Sequence, residues 1–498
     1  MRILRNAFTA LALFLTTGLY WGCSDDFLNT TDVNTINSES FYTNAEEAIK
    51  AVNAVYAGLQ RQGLYQRQIF FVLDFSSGEA APTPNTQTPN TQLLAYAFDA
   101  THEHINAFWN DSYVTIARAN VALEKIPAIE GMDETLRKRL LAEARFLRAL
   151  SYFNLVSNFG GVPLRIDPST ALVKDLARAT PAEVYAVIEE DLRYAESNLP
   201  KRSEYDAPNA GRATSGAASA LLGKVFVYQQ KWGDAEAKLQ SVVTSGEYAL
   251  VEYGRLQSTF NANDENNEES LFEVQFTKNL SGGGGAWAVD VNTGWGGNAE
   301  GNFRPKEYGV SGFAFYNAKP SDDLIGSYDP ADPRLKAFFF GPGSTFNGQP
   351  YDPIFTANGW AIGKYTDPAP GPGGALDDGD INIRVLRYAD VLLLLAESKI
   401  RLNKMGEAVA LINQVRRRAD PSGAILPDRA ADGNELQHLV TERKLELCFE
   451  GQRRLDVVRW GLGPQVFGSK FVTGKHEVLP IPANEVDINK LCTQNPGY

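Results

Sequence analysis

The chain has 498 residues, of which 44% are hydrophobic and 21% charged, and it carries 47 Lys and Arg against 60 Asp and Glu. This composition is that of a folded globular protein and excludes a disordered or collagen-like chain. The formal net charge of -13 argues against a partner with a phosphate backbone, so we expect no nucleic-acid ligand.

The N-terminus has the order of a secretory signal. A short basic start at residues 1–6 precedes an apolar run at 7–21, which is short for a membrane span of about 20 residues. The run ends at Gly22 and Cys23, and a small residue directly before a Cys resembles the lipoprotein signal, in which the thiol is acylated. We therefore predict a signal peptide over 1–22 and lipidation of Cys23, with secretion of an unmodified Cys23 as the alternative.

Helical periodicity recurs through much of the following chain. The segments 213–246 and 388–418 repeat the large, small and aromatic positions of a tetratricopeptide hairpin. In the first segment, Gly223 is followed 12 positions later by Ala235, and small side chains there let two antiparallel helices approach closely. Two looser candidate pairs, each with a long insertion between its helices, are 46–60 with 107–126 and 134–158 with 181–199.

Residues 247–385 differ from the rest of the chain in composition, because most of the Gly and Pro clusters lie there. Ordered loops of this length are usually functional. We therefore predict a mainly α fold, with four tetratricopeptide-like helix pairs packed against an irregular, loop-rich lobe that contains a few short strands. The predicted ranges are 1–22 for the signal peptide, 23–246 for three helix pairs, 247–385 for the loop-rich lobe and 386–498 for the fourth pair and closing segment.

Motifs for catalysis or metal binding are weak in this chain. It lacks the Gly-x-Ser-x-Gly, His-Glu-x-x-His and Gly-Lys-[Ser/Thr] patterns. The neighbours His102 and His104 have no third ligand indicated, and the acidic run 377–380 lacks the distal Glu of a calcium loop. We expect no catalytic residues, no bound metal and no cofactor.

One acidic cluster could be read as catalytic. Glu442, Glu446 and Glu450 are spaced by four, which places them on one helix face, where a retaining glycosidase would need a carboxylate pair. Like charges at this spacing repel, so the cluster requires cations. We interpret it as a structural ion network that clamps the last helix to the fourth pair. The candidate cations are Arg384, Arg387, Arg416, Arg417, Arg453 and Arg454.

Several segments, in order along the chain, resemble the SusD/RagB family of nutrient-binding outer-membrane lipoproteins. They are Cys23–Leu28, Trp109–Tyr113, Ile116–Asn120, Glu143–Ala149, Phe159–Pro163, Arg212–Thr214, Arg387–Leu392, Ala396–Glu397, Arg416–Ala419, Glu442–Arg443, Glu446–Leu447, Phe449–Gly451, Arg453, Asp456, Arg459–Gly461, Pro480–Pro482 and Gln494–Tyr498. The resemblance implies the same α-rich fold and a lipid-anchored protein on the outer face of the outer membrane. It further implies capture of oligosaccharides, or less often peptides, as the lid of a TonB-dependent SusC-like transporter. A surface glycoside hydrolase and a purely structural scaffold are the alternatives.

Glycan capture needs flat aromatic faces and planar polar side chains. The lobe contains such types beside glycines, and a second candidate surface is the Pro-, Asn- and Thr-rich segment 74–104. In the resembled family the site is built from these two regions. The predicted ligand-binding residues are Trp287, Trp295, Asn298, Arg304 and Tyr308 in the lobe, with Asn85 and Tyr96 in the second segment.

Two cysteines remain besides Cys23. We expect Cys448 and Cys492 to be one buried and one surface thiol, and a bridge between them stays open in an oxidising compartment.

Overall fold

The computed structural model describes residues 42–166, 169, 173–277, 289–290, 295–296, 301–310, 314–350, 359–366 and 379–498, with only the backbone at 289–290 and 295–296. Residues Asn44–Tyr498 form one compact unit. The predicted signal peptide and Cys23 lie outside the described residues. Because residues 44–498 form one unit, the predicted boundaries at residues 246 and 385 divide regions within that unit. These boundaries stay a prediction.

Helices make up most of the described secondary structure, so the mainly α fold class is confirmed. The helices are α1 Ala45–Leu59, α2 Gln68–Phe75, α3 Thr88–Ala95, α4 Glu103–Lys125, α5 Glu134–Phe159, α6 Pro181–Asn198, α7 Ser215–Tyr228, α8 Trp232–Thr244, α9 Arg304–Tyr308, α10 Asp322–Gly326, α11 Pro333–Phe338, α12 Tyr388–Arg401, α13 Met405–Ala419, α14 Glu435–Glu446, α15 Arg453–Arg459, α16 Gly463–Phe467 and α17 Ala483–Ile488. The strands are β1 Ala80–Ala81, β2 Ser270–Val274, β3 Val289–Asp290, β4 Trp295–Gly296, β5 Lys319–Pro320, β6 Phe339–Phe340, β7 Thr345–Phe346, β8 Gln349–Pro350, β9 Ala361–Ile362 and β10 Ile383–Arg387.

The long helices pack as neighbouring pairs. Helix α1 packs against α4, α5 against α6, α7 against α8, and α12 against α13. Successive pairs also touch, through α4 with α5, α6 with α7, and α8 with α12. The result is a continuous helical array, onto which α14 packs through α12 and α13.

Two glycines explain why helices can approach closely within these pairs. A Cβ added at Gly223 in α7 would lie 2.6 Å from the side chain of Leu239 in α8. A Cβ added at Gly58 in α1 would lie 2.6 Å from the hydroxyl of Thr115 in α4. Neither helix pair could keep its spacing with a larger residue, so the small positions in the sequence are a packing requirement.

Local capping fixes where helices begin. The side chain of Asp133, at the start of α5, accepts a hydrogen bond from the backbone N–H of Leu136 at 2.8 Å. Thr180 and Glu183 form a reciprocal capping box at the start of α6. Such caps each contribute about 1 kcal/mol to helix stability.

The lobe returns to the helical array through its longest sheet. Strand β10 leads directly into α12 and pairs antiparallel with β2, with Ile383 opposite Val274. The other described strands pair over only two residues each. Such short strands are expected in a Gly- and Pro-rich segment. The lobe has a small core of its own, composed of Val310, Tyr316, Phe340, Phe346 and Ala361.

The acidic cluster of α14 is an ion network, as predicted. Glu446 is fully buried and accepts hydrogen bonds from Arg387, at 2.8 Å, and from Arg418. Arg387 also bonds Glu450 through its Nη2 at 2.8 Å. Helix α14 ends at Glu446, so Glu450 lies in the following turn rather than on the helix face. It still meets Arg387, and Phe449, directly before it, adopts a left-handed backbone conformation.

The lobe supplies two cations to this network that the sequence did not indicate. Arg334 in α11 bonds Glu442 at 2.6 Å, and Lys364 bonds Glu450 at 2.6 Å. Arg416 also bonds Glu442, at 3.0 Å. The network therefore joins α14, the fourth helix pair and the lobe.

Three of the expected cations pair elsewhere. Arg384 faces Glu273 on the neighbouring strand, and Arg417 pairs with Asp428 near the surface. Arg454 donates to the backbone carbonyl of His476 at 3.1 Å, outside the acidic cluster. Sequence spacing identified the acidic side of the network but not its full set of partners.

The remaining thiols are both free and both buried. The expected surface position of Cys492 is therefore wrong, because its residue is only 2% exposed. Among the described residues, no helix is both long and apolar enough to cross a membrane.

Candidate functional site

The two predicted ligand-binding regions meet in the fold. Strand β1 pairs antiparallel with β5, with Ala80 opposite Pro320. Strand β5 in turn packs against β9, which pairs with β6 in the lobe. The segment after α2 thereby becomes an edge of the lobe, although the two strands are more than two hundred residues apart in sequence.

Three side chains fasten the loop after β1 to the backbone before β5. Thr83 donates its hydroxyl to the carbonyl of Tyr316 at 2.6 Å, and Thr86 donates to the carbonyl of Asn317 at 2.7 Å. Asn85 donates its amide to the carbonyl of Phe315 at 3.2 Å. These short polar residues replace ladder hydrogen bonds where the two-residue strands end, so the loop is held by its side chains.

Asn85, predicted to bind ligand, lies exposed on this seam. The half-exposed ring of Phe315 lies beside it, with the Lys306 ammonium 5.3 Å from the ring centroid. An amide, an aromatic ring and a cation at one surface are groups that can contact hydroxyls and apolar sugar faces. Phe315 and Lys306 were not among the predicted ligand-binding residues, since no local pattern distinguishes them from other residues of the lobe.

Trp360 is a further aromatic residue near this surface that was not predicted. Its half-exposed ring covers Gly341, where an added Cβ would lie 2.2 Å from the indole. It stands directly before β9, which packs against β5. A tryptophan following Gly359 fits the signal used for Trp287 and Trp295, so the same rule could have found it.

Three of the predicted residues lack described side chains. Trp287 and Asn298 lie outside the described residues. The backbone of Trp295 forms strand β4 and pairs with Asp290 in β3. The ligand contacts predicted for these residues stay a prediction.

Arg304 is buried, which corrects its expected place on the surface. The residue is 1% exposed, and its Nη2 donates to Asp74 Oδ2 at 3.0 Å and to the carbonyl of Phe449. Its guanidinium lies 4.1 Å from the ring centroid of Phe70 and 4.5 Å from that of Tyr365. These contacts hold α9 against α2 and the turn after α14, so Arg304 has no face open to a surface ligand.

Tyr308, one helical turn after Arg304, is also buried and also bonds Asp74. It is 1% exposed, and its hydroxyl donates to Asp74 Oδ2 at 3.3 Å. Burial raises the pKa of this phenol well above its usual value, and the nearby Asp74 carboxylate raises it further. Tyr308 is therefore a neutral core donor rather than a surface contact.

Tyr96 is also a core residue. It is 5% exposed, and its hydroxyl donates to the carbonyl of Ser76 at 2.5 Å. Its ring packs among Phe467, Phe471 and His476, with centroid distances from 5.2 to 5.7 Å. The closing segment of the chain thus covers Tyr96, whose predicted place was on the ligand surface.

The histidine pair is buried and hydrogen-bonded. His102 Nε2 lies 3.0 Å from the carbonyl of Pro89, and His104 Nε2 lies 3.1 Å from Asn90 Oδ1. Burial lowers the pKa of His104 to about 2, so it is neutral. Within the part of the chain that the structure describes, no group of three or more metal-ligating side chains is present.

The acidic cluster does not have the electrostatics of a glycosidase. Burial alone would raise the pKa of both Glu446 and Glu450. Arg418 and Arg387 outweigh it at Glu446, and Arg387 and Lys364 outweigh it at Glu450, so both pKa values are lowered. A general acid requires a raised pKa. Both carboxylates are instead ion-pair partners of Arg387, and Glu450 also pairs with Lys364.

Glu79, next to β1, has a raised pKa, in contrast to Glu446 and Glu450. It is 1% exposed, and its carboxyl accepts the backbone N–H of Phe449 at 3.0 Å. Burial, followed by the nearby Asp74 carboxylate, raises the pKa of Glu79 from 4.5 to about 8. The folded protein therefore holds this proton across the range in which the unfolded chain has lost it.

We expect this proton to make stability pH-dependent. Because the folded state binds the proton up to about pH 8 and the unfolded chain loses it near pH 4.5, raising the pH through this interval lowers the free energy of unfolding. The slope is at most about 1.4 kcal/mol per pH unit. Glu79→Gln keeps the shape without titrating, so urea unfolding at pH 5, 6, 7 and 8 should show the wild type losing stability relative to the variant. A difference that is constant across these pH values contradicts the prediction.

Two family models match the chain. One, described as the SusD family, matches residues 260–477, and one, described as starch-binding and associating with the outer membrane, matches residues 26–227. Together they include both strands of the β1–β5 seam.

Curated relatives match over most of their length. SusD-like protein P2 of Formosa agariphila is 29% identical over 505 residues, covering 96% of this chain and 97% of that protein. The starch-binding protein SusD of Bacteroides thetaiotaomicron is 25% identical over 434 residues, covering 74% of each.

Solved structures share the fold. A laminarin-binding SusD-like protein superposes with a TM-score of 0.77 at 29% identity, covering 92% of this chain and all of that one. A SusD superfamily protein of Bacteroides vulgatus superposes with a TM-score of 0.77 at 26% identity, again covering 92% and 100%.

Proposed function

The chain belongs to the SusD/RagB family, and from this membership we propose that it binds an oligosaccharide at the cell surface and delivers it to a SusC-like, TonB-dependent outer-membrane transporter. The observation that carries the proposal is the likeness to a laminarin-binding protein, at 29% identity over 92% of this chain. The starch-binding relative adds a second glycan binder of the same family.

The geometry of the lobe supports a glycan site at the β1–β5 seam. Asn85, Phe315 and Lys306 place an amide, a ring and a cation together at its surface. The lobe segment with Trp287 and Trp295 follows β2 in the chain and precedes α9. We propose that the two tryptophans complete the site as flat platforms for sugar rings.

We also propose that Cys23 carries the lipid anchor. Each buried CH₂ of an acyl chain contributes about 0.8 kcal/mol, and two or more chains hold a protein stably on a membrane. The family model that matches residues 26–227 is described as associating with the outer membrane, which supports this location.

Replacing Trp287 or Trp295 by alanine should weaken glycan binding while leaving the fold intact. Loss of an aromatic platform is expected to lower affinity roughly tenfold or more. The measurement is a glycan array followed by calorimetric titration of the positive sugar against each variant, with melting curves to confirm folding.

Tyr253→Ala is the matched control, because it removes an aromatic ring of the lobe that is 49% exposed and is not one of the predicted ligand-binding residues. Unchanged affinity in both tryptophan variants would remove them from the site. Binding of peptides but of no glycan would favour the peptide-binding alternative, and release of reducing ends from a bound polysaccharide would indicate a hydrolase.

A further inference from the structure

A cleft on the helical array lies between α1, the turn before α7 and strand β2. Its volume is about 510 Å³. The lining includes Asn53, Tyr56 and Gln60 from the α1 segment, Arg212 from the turn, and Gln275 after β2. The portion of α1 that faces the cleft, from Lys50 to Leu59, is about 14 Å long, enough for several sugar rings in a row.

The cleft continues past Gly211 into a second one of about 390 Å³. The turn can pass close to Gln275 because Gly211 has no side chain. A Cβ added at Gly211 would lie 2.6 Å from the Gln275 amide. Its φ of +88° is also a conformation that favours glycine. The two clefts share Gly211, Arg212 and Phe272 in their linings, so they adjoin at this turn, and together they are called the groove.

Charged side chains of the first cleft already have partners. Arg212 Nη1 bonds the buried Glu143 at 2.7 Å, and Lys50 pairs with Glu46 at 2.6 Å. Glu273 is 1% exposed and faces Arg384. A charged ligand would find no unmatched opposite charge here.

Neutral planar groups, in contrast, are held in position with hydrogen-bonding capacity to spare. Arg212 Nη2 donates to Asn53 Oδ1 at 2.8 Å, and Gln60 Nε2 donates to the carbonyl of Gln275 at 2.8 Å. Among the described residues, the Asn53 amide nitrogen and the Gln60 side-chain oxygen have no hydrogen-bond partner. The half-exposed Tyr56 lies between them on α1, with its hydroxyl fixed by the backbone N–H of Ala213 at 2.9 Å.

We propose that the first cleft of this groove is a second binding site for a neutral oligosaccharide, separate from the site in the lobe. Pre-oriented amides supply a donor and an acceptor for sugar hydroxyls, and Tyr56 supplies aromatic surface. The inference extends the proposed glycan-binding function to a second surface of the molecule. A longer glycan could then be held at two places on one protein.

The test is hydrogen–deuterium exchange of the purified protein with laminarihexaose, maltohexaose, xylohexaose and mannohexaose. At least one of these neutral probes should slow exchange in residues 50–60 and 208–214. Ala54→Trp fills the cleft from an exposed position on α1 and should abolish this protection, lowering affinity at the groove at least tenfold. Ala237→Trp, at an exposed position on α8 outside the cleft, should leave it unchanged.

The outcomes separate this inference from the proposed function. The Trp287→Ala, Trp295→Ala double variant should lose binding in the lobe but keep protection of residues 50–60. If a glycan slows exchange only in the lobe, the second site is contradicted and the proposed function still stands. Protection that persists in Ala54→Trp, or its absence with all four probes, also overturns the second site.

Discussion

Replacing Glu446 by alanine is expected to lower the free energy of unfolding by about 3–5 kcal/mol, the usual effect of removing one partner from a buried ion pair. The carboxylate is fully buried and meets Arg387 and Arg418, with Arg334 at 3.5 Å. Without it, these guanidiniums remain buried with fewer counter-charges. The melting temperature, measured by calorimetry, should fall by several degrees.

The effect is large because the network joins three parts of the fold. Arg387 lies at the junction of β10 and α12, Arg418 lies in α13, and Arg334 lies in the lobe. Loss of the central carboxylate weakens all three attachments together. Glu446→Gln should recover little, since it keeps the shape but not the charge.

Glu130→Ala is the matched control, because this carboxylate is exposed and has no ion pair in the described structure. Surface substitutions of this kind change stability by about 0.5 kcal/mol or less. If Glu446→Ala melts at the temperature of the wild type, the network is not a structural clamp.

Replacing Arg304 by alanine should destabilise the protein by a similar amount, about 3–5 kcal/mol. The substitution leaves the Asp74 carboxylate, which is fully buried, without its cation, and removes a guanidinium packed between the rings of Phe70 and Tyr365. Burial already raises the pKa of Asp74, and Arg304 opposes that shift. The variant should therefore unfold at lower urea concentration.

This experiment also separates a core role from a ligand contact. A surface contact would give a protein of normal stability with reduced glycan affinity, whereas the buried position predicts reduced stability first. Arg304→Lys should recover part of the loss, because it keeps the charge. Arg429→Ala, at an exposed arginine, is the control and should melt like the wild type.

The helix pairs could be predicted from the sequence because their signals are local. Small residues such as Gly223 recur at fixed spacing from large ones, and the structure shows Leu239 packed against that position. N-caps such as Asp133 are equally local. The acidic spacing of α14 predicted an ion network for the same reason, because unpaired carboxylates cannot share a buried helix face.

The candidate site was harder to predict, because burial depends on segments far apart in the chain. Arg304, beside Gly- and Asn-rich sequence, looked like a surface residue, yet its partner Asp74 is 230 positions away. Tyr96 is covered by Phe467 and Phe471, which belong to the closing segment. No local sequence pattern shows whether an aromatic side chain such as Tyr96 will be covered by a distant segment or remain exposed to solvent.

The sequence by itself determined the helical fold class, the pairing of its long helices, the family and the need for cations around Glu446. Only the tertiary structure decided that Arg334 and Lys364 of the lobe supply part of that charge, that Arg304, Tyr308 and Tyr96 are core residues, and that the loop around Asn85 docks beside Phe315. The physical reason is the range of the interactions. Helix periodicity acts over a few residues, whereas desolvation and ion pairing depend on every segment that the fold brings within a few ångströms.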